Sequence, residues 1–224
     1  HKVKENSETV FIGVPPKVTI PLVQHIGAPC KPLVQKGDYV RVGQKIADSD
    51  KYVSAPIHSG VSGTVAGFGS VMFPNGKPVD TIEIETDGKQ EIHPGIAGVT
   101  GMSRDSLIGA IREAGLVGLG GAGFPTHVKL SPPPEKRIEI VILNGAECEP
   151  YITSDYREMI ENTGDILDGL GIIMEILRPD KAIIAIENNK PAAMRKFRES
   201  LAKDASLSGK VEVRSLKTMY PQGA

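Results

Sequence analysis

The chain has 224 residues, 40% hydrophobic and 4% aromatic with no tryptophan, and 26 basic against 27 acidic residues give a formal net charge of −1. That length predicts one or two domains with enough apolar content for a core, and the charge balance gives no argument for a nucleic-acid surface. No apolar run approaches the length of a membrane span, no signal peptide is visible at His1-Lys2-Val3-Lys4-Glu5-Asn6, and two cysteines, Cys30 and Cys148, are too few for a disulfide framework or a four-cysteine iron–sulfur site.

In chain order, residues 8 to about 90 read as β-rich and turn-rich. Lys36-Gly37-Asp38 and Val42-Gly43-Gln44 mark turns between short strands. Thr81-Ile82-Glu83-Ile84-Glu85 alternates apolar and charged residues, as a half-buried strand should. Short strands spaced by glycine turns predict a small barrel or sandwich. Glu91 to Gly101 reads as a Gly/Pro-containing linker. Ser103 then caps a predicted helix with Leu107, Ile108, Ile111 and Ala114 on one face, ending at Gly115. Ser131-Pro132-Pro133-Pro134 is a rigid, non-helical connector. Beyond it the pattern alternates: a strand over Ile138–Leu143, a helix over Asp155–Leu177 broken near Gly164 and stopped by Pro179, a strand over Lys181–Ile186, a helix over Pro191–Lys203 with Pro at its first turn, and a strand over Lys210–Leu216. Strand–helix–strand–helix–strand predicts parallel pairing. The fold class expected is therefore α/β: a Rossmann-like parallel-sheet domain over 96–224, preceded by a small all-β domain over 1–95.

Two motifs carry the chemistry. Gly115-Leu116-Val117-Gly118-Leu119-Gly120-Gly121-Ala122-Gly123 has five glycines in nine residues and leads through Phe124-Pro125-Thr126-His127-Val128 to Lys129. Such a run lets backbone N–H groups approach a ligand and form an anion nest, with Lys129 adding positive charge. A packing turn needs only one or two glycines. Asn144-Gly145-Ala146-Glu147-Cys148-Glu149-Pro150 follows the first strand of the α/β region, where open sheets place their ligands. Together the motifs point to a phosphate-bearing cofactor with polar edges, a nucleotide or a flavin. The plainer alternatives are a tight turn for the glycine run, helix capping for Asn144 and Glu147, and a loop acid for Glu149. Cys148, between two acids, and Cys30 read as packed thiols.

The pair of motifs resembles the flavin- and NADH-binding domain shared by the respiratory complex I flavoprotein and the RnfC component of the Rnf electron-transport complex. Asn144 through Tyr151, Asp155, Tyr156 and Arg157 resembles the Rnf version more closely. So do Gln24-His25-Ile26-Gly27-Ala28-Pro29, Val42-Gly43-Gln44-Lys45-Ile46 and Ser54-Ala55-Pro56 in the β-rich part. That part also resembles a biotinyl/lipoyl-type barrel-sandwich hybrid, in which Lys51 would be the carrier lysine; the spacing from Lys51 to Ala55-Pro56 is short for a lipoyl hairpin, and an unmodified surface lysine is the preferred reading.

Carried over position by position, the resemblance implies that Gly118, Gly120 and Lys129 contact the flavin, that Gly121 and Gly123 belong to the same loop, and that Phe124 stacks near the nicotinamide. It implies polar flavin contacts from Asn144 and Glu147, an NADH-side carboxylate at Glu149, and a looser match at Glu187 and Asn188. The sequence departs from complex I at Ala146, where that family has an aspartate. FMN and NAD(H) are the cofactors implied, with no catalytic acid, base or nucleophile and no metal in this chain. The resemblance also implies that the chain is cut from a longer protein, inactive in isolation, whose remainder holds two 4Fe-4S clusters. The partners implied are the other Rnf membrane subunits, with ferredoxin engaged indirectly, at the cytoplasmic face of the membrane. A cobalamin or corrinoid reductase shares the loop Gly121-Ala122-Gly123-Phe124-Pro125-Thr126-His127-Val128-Lys129-Leu130, but the carrier-like β domain argues for Rnf. The rival from another class is a non-catalytic docking component of a respiratory complex.

Overall fold

The alternating strand Pro78–Thr86, β7, organises the first half of the chain. In this computed structural model, which describes residues 7–96, 98–99, 103–119, 121, 123–147, 151–221 and 223, its Ile82 and Ile84 are fully buried. It lies between β1 (Lys17–Pro21) and β6 (Gly63–Met72), both antiparallel, and β3 (Tyr39–Val40) extends the sheet beyond β6. A second antiparallel sheet joins β2 (Lys31–Pro32), β4 (Lys45–Asp48) and β5 (Ile57–His58). The inward residues of both sheets make one core, with Val40, Ile46, Val65, Ile82 and Ile84 almost without exposure.

The predicted capped helix is α1, Arg104–Glu113, and the Ser103 side chain accepts the Ser106 N–H as an N-cap should. A short helix that the sequence did not announce, α2 (Thr126–Lys129), follows the glycine loop. Both helices pack with the β strands in a compact unit, Ile12–Pro132.

The remainder, from Pro133 onward together with residues 7–11, forms the second unit. Its strands β8 (Ile140–Gly145), β9 (Lys181–Glu187) and β10 (Val211–Leu216) pair in parallel with β9 central, in the order β10-β9-β8. Connecting them are α3 (Ser154–Glu161) and α4 (Thr163–Leu177), then α5 (Pro191–Leu201). Side chains alternate across a sheet. Val141, Leu143, Ala182, Ile184, Ile186, Val211 and Val213 pack with Tyr156 and Met159 of α3, Leu167 and Leu170 of α4, and Met194 and Phe197 of α5, so the helices cover one face. The other face carries Ile140, Ile142 and Asn144 on β8 beside Ile183, Ala185 and Glu187 on β9.

Several expected boundaries shift, three of them as follows. The first parallel strand runs two residues later than Ile138–Leu143, to Gly145. The long helix breaks at Asn162 rather than near Gly164. Asn162 leaves helical geometry at φ −119° and ψ 33°, and the Thr163 hydroxyl donates back to the Met159 carbonyl at 2.5 Å. The last helix stops at Leu201, two residues short of Lys203.

Candidate functional site

The glycine loop is a hairpin-like excursion closed at its base. Gly118 N–H donates to the Phe124 carbonyl at 2.9 Å, and Thr126 N–H donates to the Leu116 carbonyl at 3.0 Å. Its glycines divide by purpose. Gly123 has φ +64°, and a Cβ there would stand 2.8 Å from the Gln24 carbonyl oxygen. Gly115, at the start of the run, has φ +70°, and its Cβ would fall 2.4 Å from the Pro56 oxygen. These two are demanded by the fold. Gly118 and Gly121 are not. A Cβ at Gly121 would meet nothing within 4 Å, and one at Gly118 only ordinary contacts at 3.7 Å and beyond. They line a cavity of about 690 Å³ whose other wall includes Ile20, Val23, Gln24 and Phe73. That volume falls in the range of ligand pockets, roughly 300–1,000 Å³.

The loop is moored to the β strands around it. Ile26 N–H donates to the Gly123 carbonyl at 3.3 Å. Buried His127 on α2 places Nε2 3.0 Å from the Tyr52 carbonyl oxygen, and its ring meets Tyr52 edge-on at 5.7 Å. On the other side, Arg112 of α1 grips Asp48 with both terminal nitrogens, at 2.9 and 3.2 Å, and donates to the Ser49 carbonyl. Lys45 donates to Asp48 at 3.2 Å and to Glu113, which also takes a bond from Arg112 at 2.7 Å. Burial alone would raise Asp48, but the Arg112 hydrogen bonds, the Ser49 N–H and Lys45 outweigh it and hold the carboxyl below its ordinary value. The Lys45 hydrogen bond likewise lowers Glu113. His58 is lowered by burial and then by the Lys45 charge. Burial pushes the Cys30 thiol up, which suits the packed thiol expected of it and not a nucleophile.

The expected site residues of this unit stand as follows. Gly118 and Gly121 are exposed, Gly123 is buried, and Phe124 is 41% exposed. Lys129 ends α2, is exposed, and has no ion-pair partner among the described residues. Gly120, Glu149 and Cys148 lie outside the described residues. Lys51 lies on the connection between β4 and β5 with 69% of its side chain exposed.

In the second unit, Asn144, Glu147, Glu187 and Asn188 gather at the carboxyl ends of the adjacent strands β8 and β9. Asn144 is exposed; its oxygen accepts the Ala146 N–H, and its Nδ2 donates to the Gly223 carbonyl. Asn188 is also exposed, and its oxygen accepts from Thr218 N–H and hydroxyl. Glu147 is buried. One carboxylate oxygen accepts Asp155 N–H at 3.1 Å in the first turn of α3, as the capping alternative expects. The other accepts Lys190 Nζ at 2.6 Å, with both side chains only 1% exposed. Lys190 also sits 4.9 Å from the centre of the Tyr156 ring. This lysine is not legible in the sequence as a site residue. It lies 43 residues from its partner, and its one local signal is its place just before the helix-starting Pro191. Glu187 is 5% exposed, and its Oε2 has no hydrogen-bond partner among the described residues.

Each unit carries groups that fit a flavin nucleotide. In the first, the open glycine cradle of Gly118 and Gly121 and the exposed Lys129 suit phosphate and ring edge. In the second, Asn144 and Asn188 offer polar side chains, and the buried Glu187 oxygen lacks the donor that a sugar or ring could bring.

A β-rich unit bearing a glycine loop, followed by a parallel sheet with polar residues at its carboxyl edge, is the architecture of a nucleotide- or flavin-binding module. Residues 111–224 match the Nuo51 FMN-binding domain, and residues 1–89 match the RnfC barrel sandwich hybrid domain. The chain therefore belongs to the Nuo51 FMN-binding-domain family, in the branch that RnfC represents. The C component of the proton-translocating ferredoxin:NAD(+) oxidoreductase complex of Clostridium ljungdahlii is 47% identical over 100% of this chain and 48% of its own length. The Na(+)-translocating counterpart from Acetobacterium woodii is 41% identical over 99% of this chain and 50% of its own. The C component of the ion-translocating oxidoreductase complex of Pseudomonas aeruginosa is 39% identical over 98% of this chain and 29% of its own. The chain thus spans about half the length of the first two relatives. A solved NAD+-reducing NiFe hydrogenase aligns over 53% of this chain and 22% of its own, with 22% identity and a TM-score of 0.48.

Proposed function

We propose that these residues form the FMN- and NADH-binding portion of the RnfC component of an ion-translocating ferredoxin:NAD oxidoreductase complex. The observation that carries the reading is the glycine loop. At Gly118 and Gly121 the fold makes no demand for glycine, yet glycine stands there, inside the stretch that matches an FMN-binding domain. The match to the RnfC barrel domain and the names of the relatives support the assignment to that component. Three parallel strands in the order β10-β9-β8 support a Rossmann-like reading of the second half. The family matches favour modules meeting near residue 95, as 1–95 and 96–224, while α1 and the glycine loop pack with the β-rich unit.

In this reading Gly118, Gly120, Gly121 and Gly123 form the loop against which the cofactor lies, Gly118 by its open Cβ side because its N–H is taken by Phe124, and Lys129 neutralises phosphate charge. Asn144 and Asn188 hold polar edges, and Glu187 faces the ligand. Glu147 acts from beneath, through its bond to α3 and its pair with Lys190. Phe124 and Glu149 serve the nicotinamide side. FMN, when bound, supplies the exchange between hydride and single-electron transfer. The side chains bind, orient and exclude water, and none is required as acid, base or nucleophile. Two 4Fe-4S clusters belong to the part of the protein beyond these residues. The other membrane subunits are its partners, ferredoxin is engaged indirectly, and the place of work is the cytoplasmic face of the membrane. Among the described residues no helix is long and apolar enough to cross a membrane.

The test is flavin retention. Full-length apoprotein mixed with excess FMN and desalted should keep about one flavin per chain, read from its absorbance. A protein that emerges colourless contradicts the reading.

A further inference from the structure

The carboxylate of Glu187 is the group at the sheet's carboxyl edge whose chemistry is left open among the described residues. It ends β9, the central strand, and is buried. Its neighbours Ile184 and Ile186 face the helices, so Glu187 faces the opposite way, on the same side as Ala185 and Asn144. On β10 it stands opposite Leu216, which offers no side-chain donor. Glu147 uses both its oxygens inside the protein, on Asp155 N–H and Lys190. Asn144 and Asn188 are also engaged. Of these groups Glu187 has an oxygen, Oε2, with no donor, and a buried acceptor left without one is unfavourable.

A carboxylate oxygen accepts and does not donate, which sorts the ligand groups it can take. A phosphate beside it is repelled. A ring carbonyl finds no donor, and a single ring N–H meets only one of its two oxygens. A hydroxyl is matched, and a pair of neighbouring hydroxyls matches both oxygens. Dinucleotide-binding halves with this strand order use an acidic side chain for that purpose, accepting from a ribose hydroxyl.

We infer that Glu187 is the sugar-recognition carboxylate of this module, accepting hydrogen bonds from vicinal hydroxyls of a bound nucleotide. This role rests on the FMN- and NADH-binding reading above. Two ligand parts carry that chemistry, the ribityl chain of the flavin and a ribose of the nicotinamide dinucleotide.

The experiment uses the full-length protein with Glu187→Leu and the nearly isosteric Glu187→Gln, which keeps the test open should the leucine variant fail to fold. Apoprotein is titrated with FMN and with lumiflavin, which has a methyl group in place of the ribityl chain. FMN-loaded protein is titrated with NADH and NADPH. Loss of a charge-assisted bond predicts about a tenfold or greater loss for Glu187→Leu, and a smaller one for Glu187→Gln. If the ribityl chain is the target, FMN affinity falls and lumiflavin affinity does not. If a ribose is the target, the KM for NADH rises while FMN stays bound, and a carboxylate that had excluded a 2′-phosphate also ceases to discriminate against NADPH. Variants that fold and bind FMN and NADH like the wild type overturn the inference alone, as does an equal loss of FMN and lumiflavin. A wild-type protein that binds neither ligand overturns the functional reading and this inference with it.

Discussion

Lys190 and Glu147 show how a single contact fixes the edge of the candidate site. Their charges meet at 2.6 Å with both side chains fully buried. The carboxylate is also hydrogen-bonded to the start of α3, and Lys190 leads into α5, so the pair ties the end of β8 to two helices. Removing one partner strands the other charge in the interior. Lys190→Met is expected to destabilise the protein by about 3–5 kcal/mol, and the double variant Glu147→Leu/Lys190→Met to recover much of that. Urea midpoints of the two variants check this; equal destabilisation by both would mean that the pair is not what the edge depends on. Lys129 differs. It is exposed and has no ion-pair partner among the described residues, so its alanine variant should leave stability nearly unchanged. If it neutralises cofactor charge, Lys129→Ala weakens FMN binding about tenfold or more and makes the residual affinity less sensitive to salt. Unchanged Kd at low and high salt removes that role.

At the scale of elements, legibility followed the range of the forces involved. The alternation over Thr81–Glu85, the Ser103 cap and the proline at the start of α5 are local signals, and each element formed where they lie. The glycine run was legible as a loop, but not which of its glycines the fold itself requires, because Gly115 and Gly123 are fixed by carbonyls of Pro56 and Gln24 far away in sequence. The mooring of α1 was equally hidden, since Asp48 and Arg112 are 64 residues apart. The helix break fell at Asn162 because its local backbone, not the permissive Gly164, leaves helical geometry.

This mooring has a pH signature. Asp48 and Glu113 are held below their ordinary values, and outside the mooring Asp87, which accepts from Ser62 and Tyr39, is lowered to about 2. Depressed folded values mean that the unfolded chain binds protons first. The stabilisation is therefore complete above the ordinary carboxylate range, about pH 4, and is lost as pH falls toward about 2. Thermal melts across neutral and acid pH should show a drop confined to the acid side, and Asp48→Asn should lower the melting temperature at neutral pH while flattening that drop. An acid limb as steep as the wild type's in Asp48→Asn would place the protons elsewhere.

For the whole molecule, the family was readable because glycine loop, polar edge and barrel turns are contiguous motifs. The sheet face away from the helices was not, because alternation tells which residues share a face but not what meets it. The proposed function requires that, in the full-length protein, a flavin seated at the glycine loop exchange hydride with NADH. The direct measurement is stopped-flow absorbance of the FMN-loaded, full-length protein mixed anaerobically with NADH. Rapid bleaching of the flavin band, saturating with NADH and reduced in Lys129→Ala in proportion to the flavin lost, is the result expected. A flavin that stays bound and fully oxidised in excess NADH would contradict that exchange and leave a docking component in its place.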